Sequence, residues 1–241
     1  LSAASSGNEA EYIQRITDVM HDTNEARIEH LNANEPGHEL LDEELMDTYL
    51  SRVRGRARAY RGTTHISVID ADGNVAALTT SNGEGCGHLV GSTGMMLNNM
   101  LGEEDLNPGG FHHWQENVRV SSMMAPSLAI DNNRLIAIGS GGSNRLRTAI
   151  LQTLCNMIDF DMPVEKAVAA PRIHYERDRI SIEPGFPGES VDALVAAFPE
   201  YHLWNEKNLF FGGAHTVLFN GTGFEGAGDP RAAGCVGRHF I

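Results

Sequence analysis

Positive charge is scarce in this chain: 18 Lys and Arg stand against 32 Asp and Glu, for a net charge of -14. Binding to a nucleic-acid backbone relies on clustered cations, so a nucleic-acid partner is not expected. Cysteine is equally sparse. Cys86, Cys155 and Cys235 lie far apart with no C-x-x-C spacing, which speaks against both a zinc knuckle and a disulfide framework. No apolar run approaches the roughly 18 residues that span a bilayer, and the first residues lack the basic-then-apolar layout of a signal peptide. Metal-ligand spacing is missing too: His112-His113 is the obvious pair, but no H-E-x-x-H or comparable pattern supports it. Neither G-x-x-x-x-G-K-[ST] nor G-x-G-x-x-G ahead of a helix occurs, so nucleotide binding is rejected. The nearest approach to G-x-S-x-G, Gly141-Gly142-Ser143-Asn144-Arg145, fails at its last glycine and leaves a Ser-His-Asp hydrolase weakly supported.

What is present is an ordinary globular composition, 41% hydrophobic and 21% charged, on a chain long enough for a substantial core. The opening quarter reads as helix. Asn8 and Glu11 form a capping-box pattern, Ile13, Ile16 and Met20 recur at helical spacing, and a helix is predicted over about 8–31. A second is predicted from Asp42, with Leu45, Tyr49 and Val53 on one face. The basic run Arg52, Arg54, Arg56, Arg58, Arg61 reads better as a solvated connector than as an anion site. From Thr63 the period changes to two. Ile66 to Ile69 and Val75 to Thr80, joined at Asp70-Ala71-Asp72-Gly73-Asn74, read as a hairpin. Leu128–Ile130 and Leu135–Ile138 read as a second, followed by a helix bearing Leu146, Ile150, Leu154 and Ile158. Pro163 suits the first turn of another helix that Pro171 ends. Short strands are expected near 172, 180, 201 and 214, a helix over about 188–198, and a closing hairpin at Asn220-Gly221. Hairpins with helices before and between them predict an α+β fold.

Thr63 is the most chemically suggestive residue. A threonine opening a strand is ordinarily strand propensity. If the Gly62-Thr63 bond were cut, however, Thr63 would own both a hydroxyl and an α-amine whose pKa near 8 suits a general base.

Several blocks downstream of it occur in a telling order. Thr63-Thr64-His65, Asp72-Gly73-Asn74, Leu97-Asn98-Asn99, Ser121-Ser122-Met123, Gly139-Ser140-Gly141-Gly142 with Arg145, Leu151-Gln152, Ala170-Pro171-Arg172 and Asp229-Pro230-Arg231 together resemble the γ-glutamyltransferase (γ-glutamyltranspeptidase) family. That resemblance implies an N-terminal-nucleophile hydrolase with an αββα sandwich, made as a self-cleaving zymogen. Residues 1–62 would close the large subunit, and 63–241 would form the small catalytic one. By the same resemblance Thr63 is autoprocessing residue and nucleophile, and Gly62-Thr63 is the cleavage site. Thr80, counted back from Asn82, would bond to the nucleophile. Asn82 and Glu103 would hold the donor's carboxylate and amino group, with Ser121 and Ser122 as further carboxylate ligands. Backbone N–H groups of Gly142 and Ser143 would form the oxyanion hole.

The resemblance implies no cofactor and no metal. Its partners would be a γ-glutamyl donor such as glutathione, a water or amine acceptor, and the remainder of the large subunit, because family precursors are considerably longer. It implies a periplasmic or secreted compartment, with a cytoplasmic one left open. Two departures bear on the substrate. Anchored on Arg119 and Pro126, Met123 replaces the second serine of the family pair; aligned by letter, Ser121 and Ser122 are both kept. Met100 stands where the family often has a polar residue. An unpaired buried donor group costs about 1–3 kcal/mol, enough to turn specificity away from glutathione. An acylase for non-glutamyl amides and an inactive fragment acting only as a binding module both stay open.

Overall fold

A computed structural model describes Ile13, Thr17 and Met20, and residues 62–83, 85–103, 106–107, 109–120 and 122–238. The helix expected from Asp42 and the arginine run lie outside the described residues, as does Ile16. The described residues fall into two compact units. One takes 64–80 and 123–238 with Ile13, Thr17 and Met20, and the other takes Gly62, Thr63 and 81–122.

Strands of the first unit follow the expected hairpins. β1 (Thr63–Ile69) and β2 (Val75–Ser81) form a two-stranded sheet. Asp70 shapes the intervening turn by accepting from the Asp72 and Asn74 amides at 2.9 and 2.8 Å. β3 (Ser127–Asp131) and β4 (Arg134–Gly141) pair antiparallel, with Asp131 opposite Arg134. β4 is then flanked by β8 (Gly213–Phe219), which pairs with β9 (Phe224–Ala227) in the sheet order β3-β4-β8-β9. Two helices, α1 (Leu146–Ile158) and α2 (Val164–Ala169), cover one face of this sheet. Ile136 and Leu218 meet Met157, Val164, Ala167 and Val168 there, and Ile138 meets Ile150 and Ala214. Each fully buried aliphatic side chain in such a layer contributes roughly 1.5–3 kcal/mol.

A third sheet holds β5 (Ile173–Glu176), β6 (Arg179–Ile182) and β7 (Tyr201–Leu203), the last pairing parallel to β6. The helix α3 (Gly188–Ala197) provides the crossover that a parallel pair requires. Its Leu194 joins Ile173, Ile180, Ile182 and Cys155 in a cluster that also takes in the helical residues Ile13 and Met20.

The β1–β2 hairpin stacks on the other face of the four-stranded sheet. The His65 ring sits against Gly139 of β4 so closely that a Cβ there would lie 2.2 Å from it. The Ser67 hydroxyl donates to the His215 carbonyl of β8 at 3.4 Å. Unit 1 is therefore layered β, β, α. The hairpin's two faces are inverted with respect to an ordinary surface hairpin: His65, Ser67 and Thr79 face inward, while Ile66, Val68 and Leu78 are exposed.

Candidate active site

Alternation along β1 and β2 decides which hydroxyls share a face, because neighbouring side chains point in opposite directions. Thr63 Oγ1 lies 2.8 Å from Ser81 Oγ. The expected partner was Thr80, one residue earlier. Thr80 is exposed and points with Leu78 to the outer face, so the bonded hydroxyl is that of Ser81. The Gly83 amide donates to Ser81 Oγ at 3.0 Å, which leaves that oxygen a second lone pair for the Thr63 proton.

The junction itself is clamped from the same loop. Gly62 N–H donates to the Gly83 carbonyl at 3.0 Å, and Asn82 N–H donates to the Gly62 carbonyl at 3.1 Å. The carbonyl preceding Thr63 is thus polarised by a backbone amide, while the hydroxyl following it is held by Ser81. Asn99 and Glu103 come up against this same loop. Asn99 N–H donates to the Asn82 carbonyl at 3.0 Å. A side chain at Gly83 would lie 2.3 Å from Asn99 Oδ1 and 2.9 Å from Glu103 Oε1. Asn107 fixes the chain beneath Glu103 by donating to the carbonyls of Leu101 and Glu103 at 3.0 and 2.6 Å. Ser122 is exposed, and Ser121 lies outside the described residues.

Gly142 and Ser143 belong to the first unit, at the end of β4. Gly142 has φ 129°, and a Cβ there would lie 2.7 Å from Gly212 Cα. Ser143 follows at φ 54°, so two successive residues take positive φ in the turn that ends β4. Ser140 supports it: its hydroxyl donates to the Gly141 carbonyl at 2.8 Å and accepts from Gly213 N–H at 3.1 Å.

Beneath Gly212 lies a buried group of two cations and two carboxylates. Arg172 donates to the Gly212 carbonyl at 3.0 Å and pairs with Asp229 at 2.7 Å. Arg231 bonds to Glu183 and to Asp229, the latter at 3.2 Å. Burial pushes the Asp229 carboxyl upward, but Arg172, Arg231 and the Arg231 and Ala214 amides outweigh it and hold the group below the usual carboxylate value. This is where Ala170-Pro171-Arg172 and Asp229-Pro230-Arg231 meet.

His65 was expected only as part of a motif; the structure makes it a buried connector. Its Nδ1 lies 2.7 Å from Thr79 Oγ1 and its Nε2 2.8 Å from Ser67 Oγ. Burial, with His215 as the second cause, pushes its pKa down to about 4. The folded chain therefore favours the neutral ring. The stability this contributes is full above about pH 6.5 and is lost as pH falls toward 4, reaching about 3 kcal/mol. Urea midpoints from pH 7.5 to 4.5 are expected to fall more steeply in the wild type than in His65→Gln. Parallel slopes would refute this.

Comparisons with known proteins identify the family. A family model described as gamma-glutamyltranspeptidase matches residues 3–238. The glutathione hydrolase proenzyme of Pseudomonas aeruginosa is 32% identical over 190 residues, covering 71% of this chain and 34% of the relative. The acylase ACY 1 proenzyme of Pseudomonas sp. strain V22 is 36% identical over 177 residues, covering 71% of this chain and 31% of the relative. A mutant γ-glutamyltranspeptidase of Helicobacter pylori superposes with a TM-score of 0.60 at 28% identity, covering 70% of this chain and 99% of that one. The chain spans about a third of the length of the curated relatives it matches.

Stacked sheets backed by helices, with a threonine opening the inner hairpin, define part of an N-terminal-nucleophile hydrolase fold. The chain belongs to the γ-glutamyltranspeptidase family.

Proposed function

We propose that this chain carries the self-cleavage junction and catalytic part of a γ-glutamyltransferase-like amidase, with Thr63 as nucleophile. The observation that carries this reading is the clamp on Gly62-Thr63: a hydroxyl bonded to Ser81 at 2.8 Å, beside a carbonyl bonded to Asn82 N–H at 3.1 Å. In processing, Thr63 Oγ1 bonds to the Gly62 carbonyl carbon, the Gly62-Thr63 C–N bond breaks, and the hydroxyl proton passes to the departing amine. Water then cleaves the ester, leaving a Gly62 carboxylate and a Thr63 with free hydroxyl and α-amine. In turnover that amine takes the hydroxyl proton as Thr63 Oγ1 bonds to the carbonyl carbon of a γ-glutamyl amide such as glutathione; the amide C–N bond then breaks, and the leaving amine departs with that proton, leaving an acyl ester on Thr63. The acyl group passes to water or an amine. Amides of Gly142 and Ser143 serve the developing oxyanion, and Asn82 and Glu103 hold the donor's carboxylate and amino group.

The remainder of the large subunit is the proposed partner, and the exposed Ile66, Val68 and Leu78 face supports it, since a strand face of that composition normally packs against another layer. A second reading, an acylase for non-glutamyl amides, is favoured by the 36% identity to an acylase proenzyme. The test is N-terminal sequencing of the full-length proenzyme after incubation, followed by assay on a γ-glutamyl anilide and on a non-glutamyl acyl amide. A new N-terminal Thr63 with γ-glutamyl turnover supports the main reading. Turnover of the acyl amide alone supports the acylase. An uncleaved, inactive chain overturns both in favour of a binding module.

Ser81→Ala is expected to slow processing by about ten- to hundredfold, the scale of a misaligned nucleophile. Ser81→Thr is expected to restore most of the rate. A time course of cleavage by gel decides it, and an unaffected Ser81→Ala would remove Ser81 from the mechanism.

A further inference from the structure

Ser143 holds a left-handed backbone conformation that side chains with a Cβ rarely adopt, so its surroundings must enforce it. Three contacts do so. The Arg145 amide donates to the Gly142 carbonyl at 3.2 Å. Arg145 Nε donates to the Phe210 carbonyl at 2.9 Å, with the guanidinium 4.5 Å over the Phe210 ring. The third comes from another sheet: Asn144 Nδ2 donates to Glu176 Oε1 at 2.5 Å, from the residue that ends β5.

That third contact neighbours a further chain of polar groups. Thr148 Oγ1 donates to the Arg145 carbonyl at 3.1 Å, so its 3.1 Å contact with His174 Nδ1 uses a proton from the imidazole. With its proton on Nδ1, the His174 ring turns a lone pair at Nε2 toward Glu176 Oε2 at 3.5 Å, and no hydrogen bond joins them; Glu176 holds Asn144 with its other oxygen. The turn is thereby tied to β5 through Asn144 and Glu176, and the start of α1 to β5 through Thr148 and His174.

We propose that Glu176 is a positioning residue: through Asn144 it fixes the orientation of the Gly142 and Ser143 amides that act on the substrate oxyanion. The inference rests on the acyl-transfer reading above. A carboxylate at 176 accepts from Asn144 with one oxygen and faces His174 with the other. A glutamine could do both, accepting with its carbonyl oxygen and donating from its amide to His174 Nε2. An alanine could do neither.

The experiment compares Glu176→Ala, Asn144→Ala, the double variant and Glu176→Gln in the full-length proenzyme. Two measurements are made: kcat and KM on the amide that the wild type turns over, and hydrogen exchange of the peptide spanning 141–146. Glu176→Ala and Asn144→Ala are each expected to lower kcat by about ten- to hundredfold, with KM within about twofold and faster exchange in that peptide. The double variant should lose no more than the worse single, as members of one unit do. Glu176→Gln should keep kcat within about threefold of wild type. Wild-type kcat in Glu176→Ala, additive losses, or a Glu176→Gln as impaired as Glu176→Ala would overturn the proposal. A wild type that turns over no amide refutes the acyl-transfer reading instead, and exchange in the 141–146 peptide still decides whether Glu176 fixes the turn.

Discussion

Thr63→Ala is expected to leave the Gly62-Thr63 bond intact and to abolish amide turnover. Both effects have one cause, the loss of Oγ1. Without it no ester can form at Gly62, so no α-amine is released at residue 63, and the substrate amide meets neither nucleophile nor base. Removing a nucleophile from an acyl-transfer enzyme lowers kcat on the order of 10⁶-fold. Loss here is expected on that scale. Asn82 N–H still polarises the Gly62 carbonyl in the variant, which separates nucleophilic attack from carbonyl activation. Thr63→Ser keeps the hydroxyl and is expected to process, more slowly if the lost methyl loosens the rotamer. Intact mass and N-terminal sequencing after incubation are the measurements. A split at Gly62-Thr63 that persists in Thr63→Ala would sink self-cleavage by this residue.

The second large effect is on stability. Asp229 has no exposed surface and lies between Arg172 and Arg231. Asp229→Ala would leave buried guanidinium charge with Glu183 as the remaining carboxylate of the group, and breaking a buried pair in this way costs about 3–5 kcal/mol. It would also orphan the Ala214 amide, which donates to Asp229 Oδ2 at 2.9 Å in the strand beside β4. The transition midpoint should fall by about 10 °C. Asp161→Ala is the contrast. Asp161 pairs with Arg134 at 2.8 Å but is 88% exposed, and loss of such a pair shifts stability by about 0.5 kcal/mol or less. Thermal melts of the two variants side by side test the ranking, and equal shifts would contradict it.

Much of the fold was legible because each element carried its own local signal. Period-two segments around Asp72-Gly73 and Asn132-Asn133 became β1–β2 and β3–β4, and the helix expected at Leu146, Ile150, Leu154 and Ile158 is α1. The resemblance brought Asn82 and Glu103 to notice, and the fold sets the Glu103 carboxylate beside Gly83, the residue after Asn82. It failed by one residue at Thr80. Counting back from Asn82 ignores which face a side chain occupies, whereas strand alternation places Ser81 against Thr63 and turns Thr80 outward. The run Thr79-Thr80-Ser81 offers a hydroxyl at every position, so composition could not choose among them. Among the compact units Thr63 groups with 81–122, through the Gly62–Gly83 and Thr63–Ser81 bonds.

By itself the sequence determined the order of strands and helices, the placement of Thr63 at the start of the first hairpin, and the family to which the ordered blocks belong. Those are properties of neighbouring residues, of turn chemistry and of side-chain period. Only the tertiary structure decided that Ser81 is the partner of Thr63, that His65 is seated on Gly139, and that Arg172 and Arg231 share Asp229. It also decided that Asn144 is held by Glu176, 32 positions away. Contacts of that kind depend on which sheet stacks on which and on how close two backbones come, and no local pattern encodes those distances.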